Sequence, residues 1–189
     1  MKNKKLKKCV FLDRDGTIIF DYGYISVPTN IKVIPEAFSA LKKLKKAGFL
    51  LVIISNQSGV GRGYFQTEDV DKVNNKILEM AKMENLDFDG VYYCPHHPDD
   101  NCSCRKPAPG MLLKAAKEFG INIHESVMIG DKESDILTGI NAGCKINILI
   151  AGNNRHANLP QHCFSAKNLA EAVKIVLTEK VHKFKLIFF

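Results

Sequence analysis

A short apolar run that leads directly into two carboxylates is the feature that most constrains how this chain can fold. Residues 10–12 favour a buried β-strand, and Asp13 and Asp15 follow it immediately. Because alternate side chains of an extended segment point to the same side, both carboxylates can face one pocket while Arg14 faces away. Gly16 then permits a sharp turn. Two carboxylates at the carboxyl end of a strand suit a divalent cation and a phosphate, at the edge where open α/β sheets bind ligands.

Strand and helix patterns alternate along the rest of the chain. Continuous apolar runs predict further strands over 49–54, 88–93, 126–130 and 146–150. Amphipathic patterns predict helices from about residue 67 and over 35–47, 109–119, 132–142 and 169–177. Between them, residues 17–27 predict a β-hairpin or flap over the pocket, and residues 153–163 predict a polar loop. This order predicts an α/β fold, a Rossmann-like three-layer sandwich with a mainly parallel sheet and no cap domain.

The size and composition of the chain predict one globular domain, residues 1–189. Its 189 residues, 46% hydrophobic and 25% charged, are typical of a soluble domain with a full core. No apolar run is long enough to cross a bilayer and no secretory signal follows the basic start, so we expect a cytoplasmic protein without a membrane partner. The net charge of +7 includes five lysines in residues 1–8, which we interpret as a solvated N-terminal end. Residues 180–189 form a C-terminal tail without a predicted role.

Further polar side chains follow the predicted strands. Ser55 follows the second strand, Asp131 follows the fourth, and Lys106 lies on the loop after the third. Parallel strands would bring these groups together at one edge of the sheet. Taken singly, Ser55 can be a turn former, Lys106 a surface charge and Asp131 a helix N-cap. Their joint occurrence in this order favours a shared site.

The chemistry of these groups matches the needs of phosphoryl transfer. Asp13 can attack phosphorus to give an aspartyl-phosphate, and Asp15 can protonate the leaving alkoxide and later deprotonate water. Asp13 and Asp131 can hold Mg²⁺, while Ser55 and Lys106 can bind the phosphoryl oxygens. We therefore predict a Mg²⁺-dependent phosphatase with four catalytic residues: Asp13, Asp15, Ser55 and Lys106.

These segments also resemble the four ordered motifs of the haloacid dehalogenase superfamily. The resemblance rests on Asp13-x-Asp15-Gly-Thr17, the Ser55-Asn56 strand end, Lys106, and Gly130-Asp131-Lys132-x-x-Asp135. It implies the haloacid dehalogenase fold and the roles given above. It also implies that the Asp15 backbone carbonyl is a further Mg²⁺ ligand, so the expected magnesium site comprises Asp13, Asp15 and Asp131.

A second cluster of metal-ligand residues lies in the loop over residues 94–107. Cys94, Cys102 and Cys104 surround His96, and three thiolates with one imidazole can supply a closed tetrahedral Zn²⁺ site. A site with no open position is structural and would hold a polar loop that lacks its own core. From the residues alone, free thiols or a redox pair remain alternatives, and His97 could replace His96.

The zinc cluster narrows the resemblance to one family. Together, residues 11–17, 56–63, 92–98, 104–111 and 130–132 resemble the D-glycero-D-manno-heptose 1,7-bisphosphate 7-phosphatases, and related histidinol-phosphate phosphatases share most of this pattern. The resemblance covers about residues 10–150. It implies Zn²⁺ on Cys94, His96, Cys102 and Cys104. It implies substrate contacts from Asp21, Tyr24, Ser55, Asn56, Gln57, Ser58, Arg105, Lys106 and Lys132.

The resemblance implies removal of the 7-phosphate from a heptose bisphosphate, in the synthesis of nucleotide-activated heptose and the lipopolysaccharide core. Histidinol-phosphate hydrolysis is the closest alternative, because only five residues separate His96 from Cys102 and this short loop borders the substrate entrance in the family. The zinc cluster argues against a nucleic-acid 3′-phosphatase. The retained catalytic carboxylates argue against a non-catalytic binding module. We expect a monomer that binds a phosphorylated sugar and no nucleic acid.

Overall fold

A computed structural model describes residues 6–152, 160 and 162–185, with the backbone alone described for 179–185. The strands are β1 Cys9–Leu12, β2 Leu50–Asn56, β3 Gly90–Cys94, β4 Val127–Gly130, β5 Ile146–Ile150 and β6 Cys163–Ala166. The helices are α1 Ala37–Lys46, α2 Thr67–Met83, α3 Gly110–Phe119, α4 Glu133–Ala142 and α5 Leu169–Lys185. Among the described residues, no helix is both long and apolar enough to cross a membrane.

The strands form one sheet in the order β3-β2-β1-β4-β5-β6, and all neighbouring pairs are parallel. The chain moves outward in one direction from β1 to β3 and then returns to β4 on the other side of β1. The strand order therefore reverses beside β1, and ligands of open α/β sheets bind at such a switch point. The predicted α/β fold with a parallel sheet is confirmed.

Both faces of the sheet are covered, which explains the continuous apolar runs. Along β1, Val10 and Leu12 enter one core cluster while Cys9 and Phe11 enter the other, and all four are fully buried. The first cluster includes residues of α1, α2 and α5, and the second includes residues of α3. The sheet between two helical layers is the predicted three-layer sandwich.

The segment over residues 17–27 is a flap but not the β-hairpin that was one of its two predicted forms. Its only β-contacts in the described chain are isolated bridges, such as that between Ile19 and Val33. Ile18 and Ile19 are both fully buried although they are adjacent, so the two-residue alternation of a half-buried hairpin is absent. Gly23 and Tyr24 then adopt left-handed backbone angles, with φ of 72° and 45°, which turn the segment.

Two predictions near the C-terminus need correction. Cys163, placed in the polar loop over 153–163, begins strand β6, which the sequence did not predict because its four residues carry no strong pattern and lie at the sheet edge. The last helix was predicted over 169–177 but continues to Lys185. The central part of the predicted loop (153–159 and 161), residues 186–189 of the tail and residues 1–5 of the basic end lie outside the described residues.

Candidate active site

Three carboxylates meet at the carboxyl end of the sheet. Asp13 follows β1, Asp131 follows β4 and Asp135 lies in the first turn of α4, with one oxygen of each within 4.8 Å of the others. Gly16, with φ of 82°, leaves the space for this approach because a β-carbon there would collide with the Asp131 carboxylate. Asp131 Oδ1 is buried without a hydrogen-bond partner.

The electrostatics of this cluster favour a cation. Burial, and then the charge of Asp13, raise the pKa of Asp131 from 3.8 to about 7. Burial and Asp13 also raise the pKa of Asp135 to about 6, although Lys106 opposes this rise. Crowded carboxylates with an unpartnered buried oxygen are the hard oxygen ligands that Mg²⁺ prefers, so the residues fit that ion.

Lys106 is the buried cation of the site, with 5% of its surface exposed. Its Nζ lies 2.6 Å from Asp13 Oδ1 and 2.5 Å from Asp135 Oδ1. Burial alone would lower the pKa of Lys106, but the charges of Asp13 and Asp135 outweigh it and raise the pKa. The Asn56 side chain accepts a hydrogen bond from the Lys106 backbone N–H (3.0 Å) and donates one to the Lys106 carbonyl (3.1 Å). These two bonds fix the loop to the end of β2.

Asp15 is placed differently from the other predicted metal residues. Its side-chain carboxylate accepts a hydrogen bond from Gln57 Nε2 at 3.0 Å and forms an ion pair with Arg14 at 3.0 Å. It is not part of the side-chain cluster formed by Asp13, Asp131 and Asp135. That Asp15 contributes its backbone carbonyl to magnesium and its carboxyl to proton transfer stays a prediction.

A pocket of about 330 Å³ opens beside the lysine. Most of the predicted substrate contacts line it: Asp21, Tyr24, Asn56, Gln57, Ser58, Arg105, Lys106 and Lys132. Three further residues that were not predicted as contacts complete the lining, namely Gly23, Gly59 and Ser134. Ser55 is the predicted substrate contact that is not among the lining residues: it is almost fully buried, and its hydroxyl has no hydrogen-bond partner. At the rim, Lys132 Nζ lies 3.0 Å from Asp21 Oδ2, which links the flap to the start of α4.

The zinc-ligand candidates also converge. Cys94 Sγ lies 3.4 Å from His96 Nδ1, 3.5 Å from Cys102 Sγ and 3.3 Å from Cys104 Sγ. Ligand atoms bound at the usual zinc distances in a tetrahedral site lie about 3.3–3.8 Å apart, so this spacing fits Zn²⁺. The described cysteines form no disulfide. His97 points elsewhere, because its Nδ1 accepts a hydrogen bond from the Asp99 backbone at 3.3 Å.

Sequence reasoning gave no role to three residues that the structure brings into the site. Asp135 joins the carboxylate cluster, and its position four residues after Asp131 on a helix start was the available signal. Arg14 was expected only to face away from the pocket, yet it contacts Asp15, and Asn74 of α2 contacts Arg14 in turn. No local pattern links Asn74 to a residue sixty positions earlier.

Comparison with known proteins places this geometry in a family. A model of the haloacid dehalogenase-like hydrolases matches residues 20–143. The D-glycero-beta-D-manno-heptose-1,7-bisphosphate 7-phosphatase of Haemophilus influenzae is 43% identical over 151 residues, which are 77% of this chain and 82% of that protein. The enzyme of the same name from Helicobacter pylori J99 is 42% identical over 167 residues, 88% of this chain and 95% of that protein.

A solved structure agrees with these sequence matches. The D,D-heptose 1,7-bisphosphate phosphatase of B. bronchiseptica, complexed with magnesium and phosphate, superimposes with a TM-score of 0.82 at 30% identity, covering 91% of this chain and 99% of that one. The parallel sheet, the carboxylate cluster and the matched family model together define a haloacid dehalogenase-like hydrolase. Given relatives above 40% identity, the chain belongs to the family of D-glycero-beta-D-manno-heptose-1,7-bisphosphate 7-phosphatases. The resemblance inferred from the motifs is thereby confirmed.

Proposed function

We propose that this protein is a Mg²⁺-dependent phosphatase that hydrolyses the 7-phosphate of D-glycero-beta-D-manno-heptose 1,7-bisphosphate. The observation that carries the proposal is the buried contact of 2.6 Å between Lys106 and Asp13, at the mouth of a pocket that also presents Arg105 and Lys132. A nucleophile beside a fixed cation suits phosphoryl transfer, and two further cations suit a second phosphate. The names of the relatives supply the substrate. As the motif resemblance implies, the product would serve the synthesis of nucleotide-activated heptose for the lipopolysaccharide core.

The residues at the strand ends divide the chemistry between them. Asp13 forms a bond to phosphorus while the bond from phosphorus to the sugar oxygen breaks, and Asp15 gives that oxygen a proton. Water then hydrolyses the aspartyl-phosphate, with Asp15 taking the proton from water. Lys106 and Ser55 bind phosphoryl oxygens as their charge changes, and the unpartnered Ser55 hydroxyl is free to do so.

Asp13, Asp131 and the Asp15 backbone carbonyl would hold magnesium. When bound, Mg²⁺ neutralises charge on the phosphoryl oxygens. The buried, unpartnered Oδ1 of Asp131 supports its assignment as a ligand. Asp135 and Asp13 both contact the ammonium group of Lys106, so Asp135 would fix the orientation of Lys106 and Asp13.

The rest of the pocket would bind the sugar and its other phosphate. Arg105 Nη1 is buried without a hydrogen-bond partner, as expected of a guanidinium that binds an anionic substrate group. The other contacts would come from the flap and from the end of β2, through Asp21, Tyr24, Asn56, Gln57, Ser58 and Lys132. A pocket of about 330 Å³ accommodates a seven-carbon sugar phosphate.

The zinc loop would support the reaction indirectly, by positioning residues that contact the substrate. Cys94, His96, Cys102 and Cys104 would bind Zn²⁺, and the ligand Cys104 directly precedes Arg105 and Lys106. A metal that fixes the backbone at Cys104 would therefore help to fix both of these cations. Cysteines without disulfides in the described chain suit a reducing compartment, and we propose that the protein acts in the cytoplasm as a single-domain monomer on small molecules.

The test is phosphate release in the presence of Mg²⁺. The substrates are both anomers of D-glycero-D-manno-heptose 1,7-bisphosphate, histidinol phosphate and a 3′-phosphorylated oligonucleotide. We expect the beta anomer to give the highest kcat/KM. Dominant turnover of histidinol phosphate or of the oligonucleotide would overturn the proposed substrate.

A pair of variants tests the covalent step. Asp13→Asn should abolish turnover of every substrate because an amide is not a nucleophile toward phosphorus. Asp87→Asn changes an exposed acidic residue outside the pocket and should retain activity. Full activity of Asp13→Asn would exclude the aspartyl-phosphate mechanism.

A further inference from the structure

Arg14 is fully buried, with 0% of its surface exposed, although it was expected only to face away from the pocket. A fully buried arginine needs a specific partner, because an unpaired charge is costly to remove from water. That partner is Asp15. Arg14 Nε donates to both Asp15 oxygens at 3.2 and 3.1 Å, and Nη2 lies 3.0 Å from Oδ2.

Asn74 holds the other side of the guanidinium. Arg14 Nη1 donates to Asn74 Oδ1 at 2.9 Å. Asn74 is itself 5% exposed and lies among the buried apolar residues Val70, Val73 and Ile77 of α2. A polar residue on the apolar face of a helix weakens core packing, so the bond to Arg14 is the physical reason for its position.

The contacts on Asp15 are unequal between its two oxygens. Oδ2 is approached by Arg14 Nε at 3.1 Å, Arg14 Nη2 at 3.0 Å and Gln57 Nε2 at 3.0 Å. Among the described residues, Oδ1 has the single 3.2 Å bond from Arg14 Nε. The Asp15 side chain keeps 17% of its surface exposed. The carboxyl group is therefore anchored through Oδ2, and Oδ1 is the oxygen with capacity for a proton.

We propose that Arg14 and Asn74 are positioning residues that aim the Asp15 carboxyl at the leaving group. This inference rests on the proposed function, in which Asp15 is the acid. As the Asp13 oxygen bonds to phosphorus and the ester oxygen departs with its electron pair, Oδ1 of Asp15 transfers its proton to that oxygen. Asp15 becomes a carboxylate that Arg14 and Gln57 already surround with donors. Asn74 touches neither substrate nor Asp15 and acts through Arg14.

The test uses leaving groups of different basicity. A sugar alkoxide must be protonated as it leaves, whereas p-nitrophenolate leaves without a proton. Asn74→Leu keeps the side-chain shape, suits the apolar face and removes the acceptor for Arg14. We expect it to lower kcat/KM for the sugar phosphate by roughly 10–10²-fold, the size of effect that misplacement of a catalytic group by about 1 Å produces. For p-nitrophenyl phosphate, kcat/KM should change little, because this parameter reports only steps through formation of the aspartyl-phosphate.

Three controls separate positioning from folding. Asn75→Leu alters the exposed neighbour on the same helix and should leave both substrates unaffected. Asn74→Asp keeps an oxygen acceptor in place and should recover most of the activity lost in Asn74→Leu. In an Asp15→Asn background, Asn74→Leu should produce no further loss, since its effect passes through Asp15.

Two results would overturn the positioning role and leave the acid role of Asp15 intact. They are equal losses for both substrates in Asn74→Leu, or a full additional loss when Asn74→Leu is combined with Asp15→Asn. If Asp15→Asn itself shows no dependence on the leaving group, the acid role assigned above fails and the positioning role fails with it. If the heptose bisphosphate is not a substrate, histidinol phosphate serves as the alkyl ester. An error in the substrate therefore does not disturb this test.

Discussion

Lys106 Nζ contacts Asp13 Oδ1 at 2.6 Å and Asp135 Oδ1 at 2.5 Å, so one buried ammonium joins the end of β1 to the first turn of α4. Lys106 lies on the loop after β3, and Asn56 of β2 holds this loop in place through two hydrogen bonds. One cation thus balances two of the three clustered carboxylates. The described ion pairs of this lysine do not include Asp131, whose Oδ1 is buried without a hydrogen-bond partner.

Removing this cation should slow the reaction more than it weakens the fold. We expect Lys106→Met to lower kcat by about 10²–10³-fold, as does the loss of one preorganised donor in other enzymes. Steady-state phosphate release measures the effect. Lys117→Met, which changes an exposed lysine on α3, is the matched control and should behave as wild type. A Lys106→Met variant with wild-type kcat would remove the lysine from the reaction.

The stability of the magnesium-free protein should fall as pH rises. The pKa of Asp131 is raised from 3.8 to about 7 in the folded state, so the folded state binds more protons than the unfolded state between these values. The free energy of unfolding is then greatest below about pH 4 and decreases as pH rises through about 7. Thermal melts in EDTA from pH 5 to 8 measure this.

Two comparisons check the cause of that pH dependence. Asp131→Asn should make it shallower, because the variant lacks one of the two carboxylates whose pKa is raised; Asp135, with a pKa of about 6, keeps the remainder. Added Mg²⁺ should restore the wild-type melting temperature most strongly near pH 8, where the carboxylates are ionised and free to bind it. An unchanged slope in Asp131→Asn would assign the pH dependence to other groups.

Loss of the zinc ligands should destabilise the loop and reduce activity together. Cys102→Ser removes one of the four converging ligands and should lower the zinc content measured by metal analysis, lower the melting temperature and raise KM. The rise in KM follows because Arg105 and Lys106 lie directly after the cluster. Cys163→Ser, at the start of β6 and outside the cluster, should retain zinc. A Cys102→Ser variant with full zinc content and wild-type KM would contradict the assignment.

An aromatic pair at the pocket rim should influence substrate affinity. Tyr64 is 62% exposed and packs edge-to-face on Tyr24, with ring centroids 4.9 Å apart. Tyr24 lines the pocket from a left-handed backbone position, with φ of 45°. A pair of this kind is worth about 0.5–1.5 kcal/mol, so Tyr64→Ala should raise KM for the bisphosphate by roughly 2–10-fold.

The control for this pair is Tyr22, a second exposed tyrosine on the flap that carries Tyr24. Tyr22 stacks on Phe20 and does not line the pocket, so Tyr22→Ala should leave KM unchanged. Tyr64→Phe keeps the ring contact and should retain the wild-type value. Equal KM values for Tyr64→Ala and wild type would show that the flap does not need this contact.

Local patterns in the sequence were sufficient to predict most of the architecture. The predicted strands are covered on both faces, so each appears in the sequence as a continuous apolar run. The polar groups that follow these runs predicted which edge of the sheet binds the ligand. Cys94, His96, Cys102 and Cys104 lie within eleven residues, so their convergence follows from chain proximity. Strand β6 was missed because an edge strand of three half-buried residues and one buried residue leaves no such pattern.

The sequence by itself determined the parallel α/β fold, the carboxylates at the strand ends and the metal-ligand cluster, because periodicity and short spacings encode them. Tertiary structure alone decided that Asp135 joins Asp13 through Lys106 and that Asn74 holds Arg14 against Asp15. The Arg14–Asn74 bond joins residues sixty positions apart, and the Lys106–Asp13 bond joins residues ninety-three apart. Such contacts depend on how the helices and loops pack on the sheet, and no local pattern records that packing.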